Sequence, residues 1–199
     1  MSPNPIFKGL ATIGYSISPQ HGPLDALANE ASIQQRCPSC SLATRVDPAL
    51  FRTKVLKSQT KYDLLWAYDL RSIFSERFTE LLRAKSSTAF KTYSVAKAKY
   101  NFIMPEKTVT FDHIWGGGTN RVNLCMTCGQ YKDLVGAHPV ILKEKCINDS
   151  GLYATDTAFG SGHNKSPILI VGSTLKATIE GADFKGFYFE EAYSTAAET

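Results

Sequence analysis

Apolar positions along the chain switch between a two-residue and a helical period, and the clearest switch lies in residues 62–95. Phe74, Phe78, Leu81 and Leu82 recur at helical spacing. They follow or flank Ser75, a residue suited to a helix cap, and Glu76, an acid suited to the first turn. Before this helix, residues 62–68 are rich in aromatics and leucine and predict a buried strand or extended segment; after it, residues 90–95 alternate like a strand. The same order returns downstream. Residues 152–156 resemble 64–69, and 167–171 form a short continuous apolar run of the kind a buried strand shows. Ser173 then predicts the cap of a helix carrying Leu175, Ile179 and Ala182, and residues 184–189 parallel 90–95. The pattern predicts an α+β protein of two similar strand–helix–strand units, about 37–100 and about 105–195. Internal duplication explains this order, and chance likeness of two generic units is the alternative.

Outside these units the signals are shorter. Ile13, Tyr15 and Ile17 predict one strand among the prolines at 3, 5, 19 and 23, and residues 24–35 predict a short helix. Asp47-Pro48 predicts a helical turn, and residues 107–111 predict a strand. Two flexible loops are expected, residues 112–120 with their three glycines and residues 157–166. A small, polar tail is expected to fray from Ala192.

The chemistry concentrates in two identical spacings, Cys37-Pro-Ser-Cys40 and Cys125-Met-Thr-Cys128. Each is the tight turn that brings two thiolates to one metal ion, and together they supply the closed four-sulfur set of structural zinc. Pro38 stiffens the first turn, and Gly129 suits the left-handed residue that often follows such turns. The pairs lie much further apart than the roughly 15–20 residues of a contiguous ribbon. Three arrangements satisfy the sequence: one zinc-ribbon-like site closed over a long insertion, two disulfides, or four unrelated thiols. The repeated spacing favours one shared zinc, with Cys37, Cys40, Cys125 and Cys128 as ligands joining the two units. Ligands from both halves predict one compact body spanning 1–199.

Composition narrows the setting. A hydrophobic share of 43% and a charged share of 20% describe an ordinary globular chain, and a net charge of +4 without a Lys/Arg run argues against a nucleic-acid footprint. Residues 1–10 lack an export signal and no stretch approaches a membrane span, so a cytoplasmic setting with reduced thiols is expected, again favouring metal. Cys146 is expected as a small buried hydrophobe, and His21, His138 and His163 as surface or loop residues. Phe90, Lys91, Tyr93, Lys97, Lys99 and Tyr100 suit stacking on a single nucleic-acid strand, but an edge strand with protective lysines is the favoured reading. Nucleophile elbows, phosphate loops and dinucleotide fingerprints are absent.

Two resemblances follow from these residues. Asp112-His113, Gly117-Gly118, Asn120, Leu124-Cys125, Cys128 and Lys132 are similar to the core of HNH endonucleases. That resemblance implies His113 as general base, Asp112 as ligand of a catalytic metal and Asn120 as the residue that orients the finger. The chain departs from it at Gly129, where a His or Asn ligand is expected. A closer match is to the bacterial double-CxxCG proteins, many of them immunity proteins encoded beside polymorphic toxins. It rests on the two Cys pairs, the strand Val109-Thr-Phe-Asp-His113, the segment Ile168-Leu-Ile-Val-Gly-Ser173 and the closing Phe184-Lys-Gly-Phe-Tyr-Phe-Glu190. Ser41 departs from that pattern, which has glycine after the first pair. The resemblance covers roughly residues 30–195. It implies a cytoplasmic, non-catalytic protein that binds and blocks a cognate toxin, with zinc as scaffold and the loops as binding surface; aromatics such as Trp66, Trp115 or Tyr131 are candidates for anchors at such an interface and equally for the core.

Overall fold

In a computed structural model, which describes residues 10–22, 24–28, 30–55, 57–95, 99–114 and 119–195, the first apolar alternation forms strand β1 (Ala11–Pro19). A hairpin of β2 (Ile33–Arg36) and β3 (Ala43–Val46) follows and makes a sheet of its own. Next come β4 (Leu64–Trp66), β5 (Ser72–Ser75), helix α1 (Glu76–Lys85), β6 (Phe90–Ser94) and β7 (Tyr100–Pro105), with the four strands ordered β4-β5-β7-β6. The chain continues through β8 (Thr108–Val109), β9 (Asn120–Leu124), β10 (Tyr131–Val135) and β11 (Val140–Leu142). Then β12 (Leu152–Ser161) and β13 (Asn164–Val171) lead to helix α2 (Ser173–Gly181) and β14 (Phe187–Ser194). With β1 these make an eight-stranded sheet ordered β11-β14-β1-β13-β12-β10-β9, in which β8 pairs with β12 off the main path. The protein is a mixed α/β fold, mostly strand, with two helices among the described residues.

Helix α1 forms where the pattern requires. The Ser75 Oγ accepts from the Phe78 N–H at 3.2 Å, Glu76 sits at the positive end, and Arg83 and Lys85 occupy the last turn. Its buried Phe78 and Leu82 join Leu175 and Ile179 of α2, together with Leu64 and Phe74 of one sheet and Leu152 and Val171 of the other, in one core. Aromatic packing crosses the same boundary: Phe78 meets Phe184 edge-on at 5.2 Å and Phe187 at 4.7 Å. Thr88 stitches the two sheets, donating to the Leu152 carbonyl at 2.7 Å and accepting from its N–H at 2.8 Å.

Both helices make the same kind of crossing. Strands β5 and β6 each pair antiparallel with β7, so α1 links two parallel strands around an antiparallel one. Strands β13 and β14 flank β1 in the same way, with α2 as the link. In each half a further antiparallel strand lies outside, β4 beside β5 and β12 beside β13. The halves differ in the origin of the middle strand: β7 follows its unit, whereas β1 comes from the start of the chain.

Several expected elements take another form. Residues 24–35 are not a helix: Leu24 bridges Ala67, donates to the Trp66 carbonyl and accepts from the Tyr68 N–H, and only Glu30–Ser32 turn as a short 3-10 segment before β2. Those backbone groups find partners across the fold rather than along it. Residues 157–166 are the end of a long hairpin, with Phe159 opposite Ser166 and Ser161 opposite Asn164. Gly160 permits it, since a Cβ there would lie 1.9 Å from the Asn164 carbonyl oxygen. The helix cap is Gly172 rather than Ser173, whose hydroxyl instead donates to Asp149. The closing strand begins at Phe187, three positions after Phe184, and it carries the buried Ala192 in place of a frayed tail. Strands β7 and β11 were not legible in the pattern. Cys146 is exposed rather than buried. Lys97, Trp115 and the glycines at 116–118 lie outside the described residues, as do most of the N-terminal segment and the last four positions. Strand β6, with Lys91, is an edge strand of its sheet, which fits the protective-lysine reading.

Asp63 ties both sheets to α1. Its carboxylate accepts from the Ser75 hydroxyl at 2.7 Å, from Arg77 at 2.7 Å and from the Lys185 N–H at 3.0 Å, while its own N–H donates to the Lys185 carbonyl. Burial opposes ionisation, but the bonds from Arg77, Ser75 and Lys185 outweigh it and hold the carboxyl below the usual range. A depressed carboxyl stabilises the fold above the unfolded pKa of about 3.9, and that stability drains as pH falls through the lower folded value. Asp63→Asn is therefore expected to unfold about 2 kcal/mol more easily at pH 7. In urea titrations from pH 7 down to pH 2, the variant should lose less stability on acidification than the parent chain.

Candidate metal centre

Each cysteine pair sits at the tip of a hairpin: Cys37 and Cys40 between β2 and β3, Cys125 and Cys128 between β9 and β10. The two tips have the same internal bonding. The Ser41 N–H donates to the Cys37 carbonyl at 2.9 Å and the Gly129 N–H to the Cys125 carbonyl at 2.8 Å. The Cys37 N–H reaches the Leu42 carbonyl at 2.9 Å and the Cys125 N–H the Gln130 carbonyl at 2.8 Å. Both turns close through a left-handed residue, Ser41 at φ 60° and Gly129 at φ 70°. The serine adopts this conformation against the steric preference of a side chain, which glycine avoids.

Facing each other, the tips bring the four sulfurs within 4.8 Å of one another. Cys37 Sγ lies 3.7 Å from Cys125 Sγ, and Cys40 Sγ lies 3.7 Å from Cys128 Sγ. A tetrahedron of thiolates about 2.3 Å from zinc has edges of roughly 3.8 Å, whereas a disulfide needs about 2.05 Å. The cysteines are free, and the donor set and its spacing fit one tetrahedral metal. Ser39 and Thr127, the third residues of the two turns, meet through their hydroxyls at 2.7 Å. All three contacts join residues 88 positions apart, so the site has an approximate two-fold axis relating one hairpin to the other. The same offset carries Leu64, at the start of β4, onto Leu152, at the start of β12.

Backbone N–H groups aim at the sulfurs and sort their protons. Those of Cys128 and Thr127 hold the Cys125 thiol down to about 6, and those of Cys40 and Ser39 lower Cys37 in the equivalent way. At Cys40 the Leu42 N–H favours the thiolate, but burial and the neighbouring sulfurs outweigh it and push the thiol up to about 12. Cys128 is raised too, the Gln130 N–H being overcome by burial and by Cys125 and Cys37. In each pair one thiol is shifted toward the thiolate and the other toward the thiol, and the latter gives up its proton more readily when a cation compensates the charge.

The residues of the nuclease resemblance are dispersed. Asp112 is buried; its Oδ1 accepts from the Ile114 N–H at 2.9 Å and its Oδ2 from the Thr195 hydroxyl at 2.7 Å, which ties the turn to the end of β14. His113 faces elsewhere, with Nε2 3.0 Å from the Thr157 hydroxyl. Burial, chiefly, holds the imidazole pKa below its ordinary value. Asn120 begins the exposed strand β9. His21 stacks on Tyr62, His138 pairs with Glu190 at 2.7 Å, and His163 occupies the β12–β13 turn. Trp66 and Tyr131 are half-buried. Two features escaped the sequence reading. The Ser39–Thr127 contact was signalled by a hydroxyl at the same position of both turns. Lys165, whose ammonium donates to the Tyr131 carbonyl beside the second turn, carried no signal because its segment read as a loop. No known protein family, curated protein or solved structure matches the chain.

Among the described residues the first hairpin shares no strand pairing with the rest of the fold, whereas β10 is bonded to β12. Purified chain is expected to hold one zinc, and Cys125→Ser none. Hydrogen exchange in the variant should rise most across β2 and β3 and much less across β9 and β10; equal protection in both hairpins would overturn the staple. Zinc affinity should fall as pH drops toward 6, since the sulfurs must shed protons to bind. Ser41→Gly is expected to stabilise the chain by about 1 kcal/mol, raising the melting temperature by about 2–4 °C.

Proposed function

We propose that this chain is a non-catalytic, zinc-stapled binding protein of the immunity type, which occupies and neutralises a cognate bacterial toxin in the cytoplasm. Four thiolates leave zinc no open position for a substrate or an activated water, which supports a structural role for the metal. The two related strand–helix–strand units, joined by this split site, then act as scaffold. The observation that carries the binding reading is a pair of large apolar side chains left in solvent: Met126, at the tip of the second turn, is 88% exposed, and Ile114 is 86% exposed. Met126 rides on a backbone that the metal would hold rigid, and rigid apolar projections suit the anchors of a protein interface.

The competing reading, an HNH-like nuclease or nucleic-acid-binding ribbon, has less support. A ββα-metal finger needs a helix after its hairpin, and β10 leads instead to strand β11. The carboxylate of Asp112 is engaged by Ile114 and Thr195, away from His113. Among the described residues, the four cysteines make the one cluster of three or more metal-ligating side chains.

Co-expression with the product of the gene immediately upstream tests the proposal. The chain is expected to form a stable complex with that product and to relieve the growth arrest it causes. Met126→Asp combined with Ile114→Asp should weaken the complex about tenfold or more while zinc content stays unchanged. Unrelieved arrest with no complex would overturn the toxin reading, and magnesium-dependent plasmid cleavage abolished by His113→Ala would establish the nuclease in its place.

A further inference from the structure

Between the two cysteine-bearing hairpins lies a cavity of about 560 Å³, bordered on its other sides by the β12–β13 hairpin and the turn between β4 and β5. That volume is in the range of small-molecule sites, roughly 300–1,000 Å³. Neither the metal centre nor the exposed Met126 and Ile114 uses it.

One wall is apolar and comes from both hairpins: Ile33, Leu42 and Val46 from the first, Leu134 from the second. The rest is polar and unevenly answered. Its two carboxylates already have protein donors. Asp69 Oδ2 accepts from the Ala28 N–H at 2.9 Å and from Arg71 at 2.5 Å, and Asp156 Oδ1 accepts from the Phe111 N–H and the Thr157 hydroxyl, each at 3.1 Å. The cations are answered less well. Arg121 reaches a single carbonyl, that of His113, at 3.4 Å, and Lys165 donates to the Tyr131 carbonyl. Neither has a carboxylate within ion-pair distance among the described residues. This wall therefore offers positive donors in excess, which suits an oxyanion.

We infer that this cavity binds a small organic oxyanion with an apolar body. Its phosphate or carboxylate meets Arg121 and Lys165, and its apolar part lies on Leu42, Val46 and Leu134. Because both hairpins form the walls, the metal acts as the clasp of the site; that clause rests on the zinc reading above.

The test is a thermal-shift titration of the full, zinc-loaded chain, with zinc counted in the same sample. A phosphate arm uses AMP and GMP, and a carboxylate arm uses tryptophan and tyrosine, each to millimolar concentration. At least one arm is expected to raise the melting temperature saturably, and the arm that does so identifies the oxyanion. Arg121→Ala, a change at an exposed position, should leave the ligand-free melting temperature unchanged and weaken binding about tenfold. Absence of any shift in zinc-replete protein, or a shift indifferent to Arg121→Ala, would overturn the site. Undiminished binding after zinc removal would overturn the clasp alone.

Discussion

Four sulfurs whose nearest pairs stand 3.7 Å apart, from opposite halves of the chain, set the terms for the structure around them. As thiolates they repel one another strongly at that distance unless a cation lies among them, and as thiols they form weak hydrogen bonds. Metal binding converts this tension into cohesion, because the sulfurs give up protons and gain a shared tetrahedral partner. The hairpin of β2 and β3 depends on it most. Among the described residues it pairs with no other strand, and its attachment comes from the sulfurs, the Ser39–Thr127 contact, the bond from Gln130 to the Ala43 carbonyl, the Arg36–His163 contact and side-chain packing.

The symmetry of the metal centre extends beyond it. Equivalent turn residues lie 88 positions apart, and the offset still holds at the first strand after each turn, from Ala43 of β3 to Tyr131 of β10, and at the starts of β4 and β12. It lapses afterwards because β12 and β13, at 10 and 8 residues, are longer than β4 and β5, at 3 and 4. The extra length of the second hairpin carries Asp156, His163 and Lys165 into the cavity wall beside the metal. The departure from symmetry thus supplies part of the polar lining.

A metal held by all four thiolates would offer no vacant position, so specificity would have to come from side chains on the elements it holds together. Apolar projections at Met126 and Ile114 suit a protein partner, and the cation-rich cavity suits a small oxyanion. Met126 and the cavity both lie on hairpins whose relative position a bound metal would fix.

Much of this was legible in the order of residues. The two Cys-x-x-Cys spacings announced the turns that cluster, because a turn that presents two sulfurs is local and leaves a local signature. Helix α1, with its Ser75 cap and its Phe78 and Leu82 face, was equally plain, and so were β1, β4 and β6. What tertiary structure decided was whatever depends on partners distant in the chain. Residues 24–35 had a helical composition, but Leu24 is drawn into an extended bridge by the backbone of Trp66, Ala67 and Tyr68. Residues 157–166 read as a loop because their glycines and polar side chains carry no apolar alternation, yet pairing with the rest of the hairpin makes them strand. The meeting of the two cysteine pairs, the separation of Asp112 from His113 and the cavity between the hairpins all rest on long-range packing. Local periodicity encodes which face of an element is apolar, and only the assembled core decides which other element covers it.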